Sequence, residues 1–393
     1  MPTRTSSGQS SNSVTATAVR EAISAATATL EGKPTAGFVF TSAKHELGEA
    51  LKAANTLVPG CEFLGCQTAG EFTEKGRTTG GVAVLLTTLD RETFSIEAAA
   101  GVREDPSGVA KKVTSTFSEL QARAAKKGAA LSTSVLLVDG LAGTGERVVK
   151  EVLTRTRLFQ QVVGGASGDD GQFKATQVGS SKTSGVDSAA VMHVFGKTPW
   201  GVGVDHGLKP KTRTMLVTRA EGNVLYEIDK KPAIEVYREY AKSKGVELND
   251  ANTGSFLIGN ELGVFFLNEL HHARAPVGVG PSGELKLVAD ISQGAQVCIL
   301  DGEIDSMVKA CGNAAKQARA NLQGAKPAGV LVFDCICRGM ILKDSFQEEI
   351  EAVREHFPEV PIAGFLTYGE IARFSGKLDG WHNTTTVVVA LPA

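Results

Sequence analysis

Three observations predict that this 393-residue chain is an α/β protein of two domains, built from repeated strand-helix-strand-strand units with mixed sheets. A motif of glycine, hydroxyl and acid recurs three times, in FLGCQTAGEF (63–72), VVGGASGDDGQF (162–173) and GFLTYGEI (364–371). Each copy follows an apolar run and a helical stretch, and each precedes a second apolar run. A chain of this length with 42% hydrophobic residues also exceeds one ordinary core, so about two domains are expected.

The repeat justifies the elements in order. Aligned on Gly65, Gly164 and Gly364, the copies place a hydroxyl three positions later (Thr68, Ser167, Thr367) and an acid six positions later (Glu71, Asp170, Glu370). Upstream lie AGFVFTS (36–42), SVLLVDG (134–140) and AGVLVFDC (328–335), rich in the Val and Phe that suit a pleated surface. Downstream lie VAVLL (82–86), AAVMHVF (189–195) and TTVVVAL (385–391). Between first strand and glycine, Phe346, Ile350, Val353 and Phe357 share one face of a 3.6-residue period that Pro358 closes. Leu47, Leu51, Ala54 and Val58 do the same in the first copy.

Each unit therefore reads strand, helix, strand, glycine turn, strand. A crossover helix makes the first two strands parallel and the crossover right-handed. Parallel strands bring their carboxyl ends to one edge, where open α/β sheets bind ligands. In the third unit this edge gathers Asp334, Cys335 and Arg338 with Thr367, Tyr368 and Glu370, and the facing N-terminal loops add Ser167 and Asp169. An ion pair of Arg338 with Glu370 and a ligand clamp both fit this pattern. Cys335 and Cys337 face opposite sides of an extended chain, which makes at least one a core residue. The glycines read as turn formers.

Bulk properties exclude several classes. A formal charge of −2 gives no reason to seek nucleic acid or anionic membrane. Six cysteines without paired metal spacing read as reduced thiols, which points to the cytoplasm. Residues 1–33, rich in Ser and Thr at the start and without the apolar core of a signal peptide, read as a disordered or weakly ordered tail. The longest apolar runs fall far short of the roughly 20 residues that span a bilayer. No GxSxG elbow or Walker-type loop occurs, and Asp169–Asp170 on a glycine loop fit a turn cap as well as a catalytic pair. GLAGTGE (140–146) is an anion cradle or a plain loop-to-helix connection. His193 reads as a satisfied core histidine, and His271 and His272 as surface residues.

Downstream of the second unit, TRTMLVTRAEGNVLYEID (212–229) alternates around EGN as a hairpin, and Pro232 opens a helix that Gly245 ends, so a domain boundary is placed at 226/227. The topology of 251–303 does not follow from pattern.

Taken in order, GCQTAGEF, VGGASGDDGQF, HGLKPKTRTMLVTRAEGNVLYEIDKKPAIEVY, FDCICRG and GFLTYGEIARF resemble the FIST family over about residues 34–392. The resemblance implies an N-terminal FIST domain at 34–226, a C-terminal one at 227–393, and a sensory module that binds a small ligand, an amino acid or similar metabolite. It further implies a partner such as a histidine kinase, chemoreceptor or cyclic-dinucleotide enzyme, since no output domain fits in the chain. Some members resemble haem proteins that sense nitric oxide, for which His206 is the candidate axial ligand. An enzyme with Cys335 as nucleophile, assisted by His206 and an acid, is a third reading, and a structural role for His206 stands beside both.

Overall fold

The computed structural model describes residues 2–156, 161–266, 269–373 and 380–393. Its first unit runs β1 (Thr5–Ser10), α1 (Thr15–Thr29), β2 (Ala36–Ser42), α2 (Leu47–Leu57), β3 (Glu62–Thr68), a small hairpin of β4 (Glu71–Thr73) and β5 (Gly76–Arg77), and β6 (Val82–Thr87). The second runs β7 (Phe94–Ala100), α3 (Pro106–Val113), α4 (Phe117–Ala125), β8 (Leu131–Val138), α5 (Gly145–Arg155), β9 (Gln161–Ala166), a hairpin of β10 (Val178–Ser180) and β11 (Ser184–Gly185), and β12 (Ser188–Gly196). A third unit starts at β13 (Gly201–Asp205) and is interrupted at once by an insertion.

The insertion comprises β14 (Lys209–Pro210), β15 (Met215–Glu221), β16 (Val224–Ile228), β17 (Lys231–Pro232), α6 (Ala233–Ser243), α7 (Thr253–Gly259), β18 (Leu262–Phe266), β19 (Glu269–Arg274), β20 (Pro276–Val279), β21 (Leu285–Leu287) and β22 (Gln296–Asp301). These strands pair antiparallel around a core that includes Val217, Tyr237, Leu262 and Ile299, which supplies the topology that pattern left open for 251–303. The third unit then resumes with α8 (Ile304–Asn321), β23 (Pro327–Cys335), α9 (Ile336–Leu342), α10 (Phe346–His356), β24 (Ile362–Thr367), a hairpin of β25 (Glu370–Arg373) and β26 (Trp381–His382), and β27 (Thr386–Pro392).

The three six-stranded sheets share one order: β1-β6-β2-β3-β10-β11, β7-β12-β8-β9-β25-β26 and β13-β27-β23-β24-β4-β5. β2 and β3, β8 and β9, and β23 and β24 are parallel, as the repeat predicts, and β6, β12 and β27 run antiparallel to β2, β8 and β23. The buried faces of α2 and α10 carry the residues the periodicity assigned to them. The small hairpins do not stay at home, however. The second unit's hairpin completes the first sheet, the third's completes the second, and the first's completes the third.

Three expectations are corrected. Residues 5–29 form an ordered strand and helix. β1 pairs with β6, and Gly8 lets α1 approach so closely that a β-carbon there would lie 2.0 Å from the Ala22 carbonyl oxygen. The polar strand is buried because its hydroxyls have partners: Ser6 with Thr29 (2.6 Å), Ser7 with Glu74 (2.7 Å) and Ser10 with Glu21 (2.5 Å). The motif glycines, in turn, lie inside the second strands. A β-carbon on Gly65, Gly164 or Gly364 would sit 2.7, 1.9 or 2.4 Å from the carbonyl oxygen of its register partner, Val39, Leu136 or Val332. Close backbone approach, not turning, demands glycine there. The boundary placed at 226/227 cuts β16, inside the insertion. Among the described residues no helix is long and apolar enough to cross a membrane.

Candidate functional site

The carboxyl ends of the three parallel pairs converge, and their turns are bonded to one another. Ala69 donates to the Leu366 carbonyl (3.0 Å) and Leu366 to Gly70 (2.7 Å). Gly168 and Asp170 donate to Gln67 and Thr68 (3.0 and 2.9 Å), while Ala166 and Tyr368 donate to Gly369 and Ala166 (2.7 and 3.1 Å). Hairpin exchange thus closes the edge that an open sheet would leave free.

Each unit buries one carboxylate at this hub. Glu71 accepts from Thr68 Oγ1 (2.9 Å), the Gly81 amide (2.9 Å) and Thr78. Glu370 accepts from Thr367 Oγ1 (2.5 Å) and the Thr385 amide (3.0 Å). In the second unit the place belongs to Asp139, which accepts from Thr176 Oγ1 and the Asp187 amide, both at 2.6 Å. Alignment had given it to Asp170. That residue adopts φ 55° and turns its carboxylate to Ser42 Oγ (2.6 Å) and the Ala43 amide (3.0 Å) instead. Burial pushes the Glu71 carboxyl up to about 7 against three hydrogen bonds, and Glu370 well above its usual range.

Asp334 and Cys335 lie beside Leu366 and Thr367 as expected, but successive side chains face opposite ways and join two separate clusters. On one face Arg338, fully buried, ion-pairs with Asp334 at 2.9 Å and with Glu349. Its remaining donors go to the His206 carbonyl (2.8 Å) and the Met307 carbonyl (2.9 Å). Two acids thus flank one cation, and burial raises both carboxyls against the pull of Arg338. The partner of Arg338 is not Glu370, and its guanidinium is spent inside the protein.

On the other face Cys335 meets the insertion. Its Sγ lies 4.0 Å from Thr384 Oγ1, and Thr384 donates to Glu261 at the start of β18. His272 and His382 meet edge to face, ring centres 5.3 Å apart, and Ala275, Cys335 and Cys337 form a small apolar contact beside them. His272 is therefore buried, not superficial, whereas the side chain of His271 lies outside the described residues. Burial pushes Glu261 up to about 8, opposed by the Thr384 hydrogen bond and the charge of Arg338. At this seam the buried acceptors Glu261 Oε2 and Asn383 Oδ1 have no hydrogen-bond partner among the described residues. Sequence reasoning missed Glu261, Asn383 and Thr384. An acid opening the apolar run ELGVFF, and the polar run HNTTT before a buried strand, were the available signals.

The other predicted residues are structural joints. Asp169 accepts from the amides of Phe173 (2.8 Å), Lys174 (2.6 Å) and Ala175 (3.1 Å) and from the Tyr368 hydroxyl. Ser167 Oγ donates to the Val138 carbonyl (3.1 Å) and is fully buried. His206 follows β13, and its Nδ1 accepts the Leu208 amide (2.9 Å), which closes a turn. The imidazole is thus built into a polar turn, in which Asp205 accepts the His206 amide (2.7 Å). His193 is a core histidine bonded to Ser134 (2.7 Å).

Residues 35–231 match the FIST N domain and residues 233–373 the FIST C domain. The chain is also 28% identical over 251 residues to the uncharacterized protein MJ1623 of Methanocaldococcus jannaschii, an alignment that takes in 57% of this chain and 47% of that protein. The chain thus spans about half the length of the curated relative it matches. FIST domains are generally sensory and associated with signal transduction, not catalytic. Two family domains that together account for nearly the whole sequence, on a fold with the repeat that the motifs announce, place this chain in the FIST family.

Proposed function

We propose that this protein is a cytoplasmic sensory module whose ligand, an amino acid or similar primary amine, binds between the insertion and the strand ends of the third unit. The observation that carries this reading is the pair of orphaned acceptors, Glu261 Oε2 and Asn383 Oδ1. A buried acceptor left unpaired costs about 1–3 kcal/mol, and a ligand with several N–H donors recovers it. An ammonium group suits them, since Glu261 then gives up its proton and pairs with the cation.

The architecture supports a way to signal. The insertion joins the core through the short links after Asp205 and Asp301, and rests on the small apolar contact around Cys335. A ligand at that seam shifts the angle of the insertion, and a separate partner, a histidine kinase, chemoreceptor or cyclic-dinucleotide enzyme, reads the change.

Thermal shift against a panel of amino acids, the corresponding amines and their N-acetylated forms tests the reading. A ligand at about 100 times its Kd adds roughly 2.7 kcal/mol of stability. Free amines should stabilise the protein, N-acetylated forms should not, and Glu261→Gln and Asn383→Ala should each weaken the response at least tenfold. Equal responses from the parent and both variants, or none from any amine, would sink it.

A further inference from the structure

The three units contain the same seam three times, where a helix faces a borrowed hairpin, and only two of these seams are filled. The register makes Phe72, Ile371 and Gly179 equivalent, since each pairs with a motif glycine: Gly364, Gly164 and Gly65. Their hairpin partners Arg77, Trp381 and Ser184 are equivalent too.

In the third sheet Phe72 packs on Phe346 of α10, ring centres 5.2 Å apart, with Arg77 over the same ring at 6.0 Å. In the second, Trp381 lies so close to Gly145 at the start of α5 that a β-carbon there would be 2.6 Å from the indole. In the first, glycine and serine stand where the others have an aromatic ring and a long side chain. A groove of about 410 Å³ opens between α2 and the β10–β11 hairpin. That volume falls in the range of small-molecule sites.

Its lining is cationic and hydroxylated. Lys52 on α2 and Lys182 in the hairpin turn flank it, with Thr183 and Ser184 between them and Leu51 on the floor. Lys52 makes no ion pair among the described residues, nor do the hydroxyls of Thr183 and Ser184 hydrogen-bond to any of them. Ser181 and Asn55 are bonded to each other (2.9 Å) and hold the turn in place. Lys182 also reaches the Ile96 carbonyl (3.4 Å) and Glu97 (3.9 Å), neither of which is part of the lining.

We propose that this groove is a second ligand site, for a phosphorylated small molecule. The seam needs side chains to close it, as its two counterparts show, and Gly179 and Ser184 leave it open. Two ammonium groups supply the charge for a dianionic phosphate, and two hydroxyls donate to its remaining oxygens. A metabolite body of sugar size fills the groove beyond them.

The test is isothermal titration with ribose 5-phosphate, ribose and inorganic phosphate at fixed ionic strength. Ribose 5-phosphate should bind saturably, inorganic phosphate more weakly, and ribose not at all. Lys52→Ala with Lys182→Ala should lower the affinity for ribose 5-phosphate at least tenfold. Ser184→Trp, which installs the side chain found at 381, should abolish binding while the far-UV spectrum stays unchanged. If Ser184→Trp fails to fold, the lysine pair decides. No saturable binding of ribose 5-phosphate up to about 10 mM, or binding untouched by the lysine substitutions, overturns the proposal.

Discussion

Tyr368 donates its hydroxyl proton to Asp169, a contact that ties the third unit to the second across 199 residues. Phe173, stacked on the same ring at 4.7 Å and 16°, shields it from solvent. Burial alone would raise the Asp169 carboxyl, but the Tyr368 hydroxyl and three backbone amides outweigh it and hold the group below its usual range. Tyr368→Phe should cost about 1.5–3 kcal/mol, the worth of a hydrogen bond to a charged group. A depressed folded pKa gives stability that is present above the unfolded value and lost as pH falls, so the variant should also unfold at a higher pH in acid titration followed by circular dichroism. An unchanged acid midpoint would show that the three amides suffice.

Arg338 gives a second prediction, opposite to that for a ligand clamp. Removing the cation leaves Asp334 and Glu349 buried together, so Arg338→Met should destabilise by about 3–5 kcal/mol. Replacing the acids too, as Asp334→Leu with Glu349→Leu, should recover much of the loss in urea unfolding.

Glu71 predicts a pH dependence. Its folded pKa is raised to about 7 from 4.5, so the folded state keeps a proton that the unfolded state has released between those values. Stability is therefore full below pH 4.5 and declines as pH rises towards 7, by up to about 1.4 kcal/mol per pH unit from this group. Glu71→Gln cannot ionise and should decline less over the same interval. Because the two proteins share every other titrating group, subtracting their stability curves isolates Glu71.

The cysteines give a fourth prediction. All six are buried, and burial, with Cys337 and Glu261 acting in the same direction, raises the Cys335 thiol well above its usual range. Iodoacetamide at neutral pH should label Cys335 only after denaturation, as mapped by peptide mass spectrometry. Rapid labelling in the native protein would return Cys335 to contention as a nucleophile.

Much of the fold is legible because it is local. The parallel pairs follow from apolar runs bracketing the amphipathic faces of Phe346 to Phe357 and Leu47 to Val58. What escapes is set by distant partners. TSSGQS reads as a tail because nothing in it is apolar, and its burial depends on Glu74, Thr29 and the close approach of α1. The register brings 334 and 335 beside 366 and 367, but which way each side chain faces and whether that edge is open depend on the insertion and on hairpins from other units. Asp139 and Asp170 exchange roles because of a positive φ that spacing does not reveal.

The borrowed hairpins also bear on synthesis. Residues 71–77 leave the ribosome long before 362–367, the strand they join. Until then the first unit holds a hairpin without a host, and the second sheet waits for β25 and β26. No unit can reach its final pairing by itself as the chain grows: the first sheet is completed once 178–185 have emerged, the other two wait for the third unit, and a nascent chain stalled before residue 362 leaves two sheets with exposed edges available to chaperones or to other chains.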